Sequence, residues 1–323
     1  MKFNGNAMRA AIGVIGAALT ALALVSCGGG QAVEKFVPTR ILAFGDESSF
    51  MDANGLKYSV NALKADGTID CKTNPIWVQG LAAAYGLVFP QCNPDAVAAP
   101  ASQILATVDA TSGNVKDQID LFVTNGGSFG GKDLATVLAG ARDILDQYAL
   151  IKAGTTTEAQ AIPILEQAGT ALAAQVNRIG LAGGKVLIAT VPDMGLTPLA
   201  VNAGATDAAL LTRLTSRFNS KLRVGLINDG HMTGLLLIDE MVQNIVKNPG
   251  SGGFGAVDKA VCAFALPNCT TATLVPDLLN PDGTLKFAAN GETWLWSDDT
   301  RLSAGGQRSM GSVAVSRAQG NPF

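Results

Sequence analysis

Arg40-Ile41-Leu42-Ala43-Phe44-Gly45-Asp46-Glu47-Ser48-Ser49-Phe50 is the stretch whose reading decides the fold. Ile41 to Phe44 is a short apolar run stopped by Gly45, which reads as a buried strand entering a tight turn that carries polar side chains at its carboxyl end. In open parallel sheets that edge is where sites are built. Outward from this stretch, apolar runs alternate with helical patterns. Pro75 to Tyr85 has apolar residues at helical spacing up to Gly86, and Asn114 to Val123 repeats the pattern with Asn114 as N-cap. Leu134 to Ala139 reads as a second buried strand, Thr157 to Gly180 as a long amphipathic helix, and Lys185 to Val191 as a strand rich in β-branched residues. Thr206 to Asn228 is expected to be helical, Leu235 to Asp239 extended, and Ser303 to Gln319 helical. This alternation predicts an α/β fold with a parallel sheet covered on both faces. Right-handed crossovers then bring the strand-end turns to one edge.

The chain opens with Lys2 and Arg9, followed by an uncharged run from Ala10 to Val25. That run is short for a membrane span of about 20 residues and ends in small residues, as a secretory signal does. Leu24-Val25-Ser26-Cys27 is similar to the lipobox of bacterial lipoproteins. The resemblance implies removal of residues 1–26, acylation of Cys27 and attachment to the outer membrane, because Gly28 stands where an inner-membrane retention signal has aspartate. Residues 27–38 then read as a tether and 39–320 as one folded domain.

Setting Cys27 aside leaves Cys71, Cys92, Cys262 and Cys269, an even set for an oxidising compartment. Proximity in sequence favours Cys71 with Cys92 and Cys262 with Cys269, one of three connectivities. Removing the signal takes two of the 23 basic residues and no acidic one, leaving 21 against 26 and a net charge of −5. No basic arm or aromatic-basic stripe is present, so nucleic acid is not an expected partner. Gly126 to Gly131 and Gly250 to Gly255 lack the strand-to-helix context of a phosphate loop, and Asp207, Asp239 and Asp258 lack calcium-loop spacing, so no cofactor or metal is expected. Trp77, Trp294 and Trp296 read as packing residues, with Trp294 and Trp296 close enough to the last block to line a pocket mouth.

Four blocks resemble those of the GDSL, or SGNH, hydrolases. Phe44-Gly45-Asp46-Glu47 is similar to the first, Phe-Gly-Asp-Ser. Leu134 to Leu145, with Gly140-Ala141-Arg142-Asp143, is similar to a strand followed by Gly-x-Asn-Asp. Thr190-Val191-Pro192-Asp193-Met194-Gly195 and Phe218-Asn219-Ser220-Lys221-Leu222 resemble the proline-glycine turn and the Phe-Asn-x-x-Leu helix. Trp296 to Gln307, through Asp298-Asp299-Thr300-Arg301, resembles the closing Asp-x-x-His. The resemblance runs from residue 40 to about 318 and implies a flavodoxin-like three-layer α/β/α sandwich with a parallel sheet.

It also implies a site. Ester hydrolysis by this route needs a hydroxyl nucleophile, a base, a carboxylate to orient the base, and donors for the oxyanion. Glu47 stands at the serine position, Arg142 at the asparagine position and Arg301 at the histidine position, while Asp298 keeps the family's aspartate. The oxyanion glycine of the second block has no counterpart near Ala98 to Ser102. Losing nucleophile or base costs about 10⁶ in turnover, and an arginine, whose pKa stays above about 12, cannot act as a base. Ser48 and Ser49 stand next to the nucleophile position as alternatives, and His231 falls in a turn before the Leu235 strand.

Glu47, Arg142, Asp298 and Arg301 are therefore expected to form a neutral ion-pair cluster where a triad would be. Three function classes follow. The first is a lipid-anchored, non-hydrolytic pseudoenzyme that binds an ester, lipid or anionic small molecule, with a guanidinium on the anion, or binds an envelope partner. The second is an ester or lipid hydrolase using Ser48 or Ser49. The third is a carboxylate enzyme using Glu47 and Asp298, which is disfavoured because two arginines beside them leave neither carboxylate placed as a general acid.

Overall fold

Residues alternate across the first strand as its pleat requires. In β1 (Arg40–Gly45), Ile41 and Ala43 join one buried cluster while Leu42 and Phe44 join another on the opposite face. The computed structural model describes residues 35–227, 230–321 and 323. The expected signal segment 1–26, Cys27 and the first part of the expected tether lie outside them.

Four more strands complete the main sheet: β2 (Gln103–Ile104), β3 (Asp133–Leu138), β4 (Lys185–Ala189) and β5 (Thr233–Leu236). All pair in parallel in the order β2-β1-β3-β4-β5, with Ala43 beside Thr136, Thr136 beside Leu187, and Leu187 beside Gly234. The expected α/β architecture with a parallel sheet is therefore present, in the flavodoxin-like strand order. Helices α1 (Trp77–Ala83), α2 (Ser112–Thr124), α3 (Ala141–Lys152), α4 (Glu158–Leu181), α5 (Pro198–Ala203), α6 (Ala205–Gly225), α7 (Ile238–Lys247) and α8 (Ala304–Gly320) supply the outer layers. Val115 and Ile119 of α2, Leu172 and Val176 of α4, and Leu214 and Phe218 of α6 bury one face. Trp77 and Leu81 of α1, Val242 of α7, and Met310 and Ala314 of α8 bury the other.

Several expected boundaries move for local reasons. Thr111, not Asn114, is the N-cap of α2. Asn114 sits at the third helical position, and its Oδ1 accepts the Thr111 N–H at 2.9 Å. The strand expected over Leu235 to Asp239 stops at Leu236, because Ile238, Val242 and Ile245 form the buried stripe of α7. Asp239 lies in the first turn of that helix, where it accepts from Thr190 Oγ1 at 2.7 Å and pairs with Arg223 at 2.8 Å. The helix expected to reach Asn228 ends at Gly225. Trp294 and Trp296 do not line a pocket mouth. Both are buried, in a short strand β7 (Trp294–Trp296) parallel to β6 (Ala256–Ala260), and their indole N–H groups donate to Ala288 O and Val257 O.

Two disulfides join Cys71 to Cys92 and Cys262 to Cys269, each with Cα atoms 5.6 Å apart. Lys57 is fully buried near the first. Its Nζ donates to the carbonyls of Cys71, Thr73 and Asn74 at 3.1, 2.9 and 2.8 Å. Burial pulls its ammonium down to about 8, against the nearby Asp70 carboxylate. Among the described residues no helix is long and apolar enough to cross a membrane.

Candidate functional site

Two glycines shape the carboxyl edge of the sheet. Gly45 ends β1 at φ 122°, and a Cβ there would collide with the carbonyl of Leu138. The chain can therefore pack β1 against β3 and turn at once. Gly140 ends the neighbouring segment at the same φ, and a Cβ would meet the Phe218 ring. These turns deliver Asp46 to Ser49 from one strand and the start of α3 from the next. Asn219 clips the following turn by accepting the Val191 N–H at 3.0 Å and donating to the Val191 carbonyl at 2.8 Å.

Residues 47–49 form a short 3₁₀ turn capped by Asp46, whose Oδ1 accepts the Ser48 N–H at 3.0 Å. Burial, and secondly the charge of Glu47, push the Asp46 carboxyl up to about 8. Glu47 projects from this turn with both oxygens engaged. Its Oε1 lies 2.6 Å from both Arg301 Nε and Nη2, one oxygen held by two arms of the guanidinium, and its Oε2 accepts the Asp109 N–H at 3.0 Å. Arg301 Nη1 reaches Asp298 at 2.8 Å, and Asp298 also accepts the Thr300 and Arg301 N–H groups at 2.9 and 2.7 Å. The guanidinium lies 5.7 Å from the centre of the Tyr58 ring. Burial lowers the Arg301 pKa, but the Glu47 and Asp298 carboxylates outweigh it and hold the group above its ordinary range.

The structure brings Glu47, Asp298 and Arg301 together, yet Glu47, Arg142, Asp298 and Arg301 do not make one neutral cluster. Arg142 pairs with Asp146 one turn along its own helix at 2.7 Å and approaches Asp109 at 3.5 Å. Four carboxylates, Glu47, Asp109, Asp146 and Asp298, thus surround two guanidiniums. The aspartate that follows Arg142 in its block, Asp143, ties α3 to the start of α2 by accepting from Ser112 N and Oγ at 2.8 and 2.9 Å.

Asp109 was not among the residues singled out in the sequence. It follows β2 with φ 58°, a conformation glycine adopts freely and aspartate tolerates. Its N–H comes to position 47 from beyond β2, seven residues past the Ala98 to Ser102 stretch where a glycine is expected. The missing glycine hid it, and the signal that remains is its place just after the strand.

The alternative nucleophiles differ sharply. Ser49 is fully buried, and its Oγ accepts the Trp77 indole N–H at 3.1 Å, so no substrate reaches it. Ser48 is half-buried and opens onto a cleft of about 330 Å³. Glu47, Asp109, Arg142, Asp146 and Arg301 form the polar part of that cleft, and Leu138, Leu145, Pro192, Met194 and Leu302 its apolar wall. His231 precedes β5 at the amino edge of the sheet, a strand's length along and three strands across from Ser48, on the order of 20 Å away. Among the described residues, no three His, Cys, Asp or Glu side chains converge as metal ligands would.

The fold is an α/β arrangement of helices on both faces of a five-stranded parallel sheet, and the blocks that resemble those of the GDSL hydrolases fall in order around the sheet's carboxyl edge. No family model matches the chain, and no curated protein matches it. Solved structures similar to it include a member of the lipolytic G-D-S-L family from Veillonella parvula, at 10% identity over 86% of this chain and 96% of that one, with a TM-score of 0.43. An extracellular lipase from Streptomyces rimosus matches at 15% identity over 87% and 99%, with a TM-score of 0.47. Phospholipase A1 from Streptomyces albidoflavus matches at 14% identity over 87% and 98%, with a TM-score of 0.43.

Proposed function

We propose that the chain is a lipid-anchored envelope protein, attached to the outer membrane through Cys27, that uses a GDSL hydrolase-like cleft to bind rather than to hydrolyse. The observation that carries this reading is the state of position 47. A carboxylate stands where the nucleophilic hydroxyl is required, held by Arg301 at 2.6 Å and by the Asp109 N–H at 3.0 Å. The group at the base position is an arginine that cannot take a proton, and the donor amide is already occupied.

Among the ligand classes open from sequence, the cleft favours an ester- or lipid-like molecule over an anion. Arg301 is engaged by two carboxylates and Arg142 by a third, whereas the Leu138, Leu145, Met194 and Leu302 wall suits an acyl chain.

A second reading, hydrolysis by a relocated serine, rests on Ser48, which lines the cleft beside Asp46. Burial pushes the Asp46 carboxyl up to about 8, toward the range of a general base, and this reading depends on Asp46 taking the Ser48 proton. A fluorophosphonate probe, with nitrophenyl ester turnover, tests both readings on the purified chain. No labelling and no turnover above buffer are expected. Labelling mapped to Ser48, and turnover lost in Ser48→Ala, would replace binding with catalysis.

A further inference from the structure

We infer that the amino edge of the sheet, opposite the cleft, is a seat for the bilayer surface, so that the cleft faces away from the membrane. This inference rests on the lipid-anchored reading above.

Exposed large apolar residues gather at this edge and, separately, over residues 264–287. Helices that cross over in a parallel sheet end at its amino edge, and the C-terminal turns there expose Leu121 and Val123 of α2, Leu181 of α4 and Val224 of α6. Leu181 and Val224 are each 80% exposed at two neighbouring helix ends, so together with Leu121 and Val123 they form a group rather than single exposed residues.

These turns are fastened to one another. Asn177 donates to the Gly225 carbonyl at 2.8 Å and accepts the Ile227 N–H at 2.9 Å, joining the end of α4 to the exit of α6. Arg178 pairs with Asp120 at 2.6 Å, joining α4 to α2. Leu181 and Ile227 border a shallow depression of about 340 Å³ between them.

Two features of the same edge identify what covers it. The chain enters the fold there: the Thr39 N–H donates to the Lys132 carbonyl just ahead of β3, and the Phe36 ring meets that of Phe323 with centroids 5.2 Å apart. Cys27 stands eight residues before Lys35, a span of at most about 28 Å when fully extended, so an acyl group on Cys27 holds this edge near the bilayer. The charge there is also complementary to anionic headgroups. Lys35, Lys132 and Lys185 lie at the chain entrance and at the starts of β3 and β4, while Asp120 and Asp133 are paired with Arg178 and Arg40. Apolar side chains ringed by lysines at the anchored end match the boundary between headgroups and acyl chains.

The test uses the full lipidated chain in vesicles of phosphatidylethanolamine and phosphatidylglycerol, with an environment-sensitive fluorophore on Leu181→Cys, Val224→Cys, Leu150→Cys or Leu285→Cys. Leu150 lies in α3 beside the cleft, and Leu285 is an exposed apolar residue in a separate hairpin. Flotation with the vesicles reads the anchor, and quenching by doxyl-labelled lipid reads the seat. The expected result is flotation of every variant, with a blue shift and loss of most emission at 181 and 224 and neither change at 150. Flotation without quenching at 181 and 224 overturns the seat and leaves the anchor standing. A blue shift there without lipid quenching means that protein, such as a second copy, covers the edge, and it overturns the inference too. Quenching at 150 or 285 in their place puts the bilayer on another face. Failure to float removes the anchor and the seat together.

Discussion

Arg301 and Lys57 are both cations drawn largely out of water, and they are satisfied in opposite ways. Arg301 lies between two carboxylates at the rim of a cleft, and its charge is matched by charge. Lys57 is enclosed by three backbone carbonyls in the loop carrying the Cys71–Cys92 disulfide, and its charge is met at contact by dipoles, with the Asp70 carboxylate acting only from nearby. The consequence appears in their protonation: carboxylates raise the Arg301 pKa despite burial, whereas burial lowers that of Lys57 to about 8. Lys57 acts as an internal strut whose loss orphans backbone groups. Arg301 acts as a lock, fixing the side chain at position 47 and the shape of the cleft.

The largest effect that separates them belongs to Lys57→Met, which leaves the Thr73 and Asn74 carbonyls without a donor, while the Cys71 carbonyl keeps the Gln79 side-chain amide at 3.1 Å. With about 1–3 kcal/mol for each unsatisfied group, a loss near 4 kcal/mol is expected in urea unfolding. A loss below about 1 kcal/mol would mean that water replaces the ammonium and that the strut is dispensable. Its pH dependence has a definite sign. The folded pKa of about 8 lies below the ordinary 10.5, so the unfolded chain binds more protons between these values. The Lys57 contribution is therefore present above pH 10.5 and is lost as pH falls through 8. The stability of the wild type relative to Lys57→Met should rise across that window, and a flat difference would break the contrast with Arg301.

Next comes Glu47→Ala. Removing one partner of a fully buried pair costs about 3–5 kcal/mol, and here the partners keep 13% and 25% of their side-chain exposure, so about 2–3 kcal/mol is expected. An unchanged midpoint would show that Arg301 is satisfied by Asp298 and solvent. Smallest is Arg142→Ala, where the guanidinium is 47% exposed and the expected loss is at most about 0.5 kcal/mol. A larger loss would make Arg142 part of the lock after all.

Much of this architecture is legible in the sequence, and the remainder is hidden for physical reasons. Apolar runs such as Ile41 to Phe44 and Leu134 to Leu138 are buried on both faces, so hydrophobicity alone marks them. Strand period and helix period merge in Leu235 to Ile245, where only Ile238, Val242 and Ile245 disclose that a helix has begun. Helix α3 is short and half-exposed, with Ile144 its one fully buried residue, and so gave little signal. The Glu47–Arg301–Asp298 contact follows from the family blocks, but the diversion of Arg142 to Asp146 is a side-chain choice that spacing does not fix. The Asp109 amide and the carbonyl cage of Lys57 are backbone groups, which every residue carries, so no residue type announces them.

The central claim is that Glu47, at the position that resembles a nucleophile's place, is half of a structural ion pair. A double-mutant cycle measures it most directly, using the unfolding free energies of the wild type, Glu47→Gln, Arg301→Met and the double variant. A coupling energy of about 2 kcal/mol favouring the native pair is expected. Additivity within about 0.5 kcal/mol would contradict the claim, because the two side chains would then act independently and position 47 would not be locked.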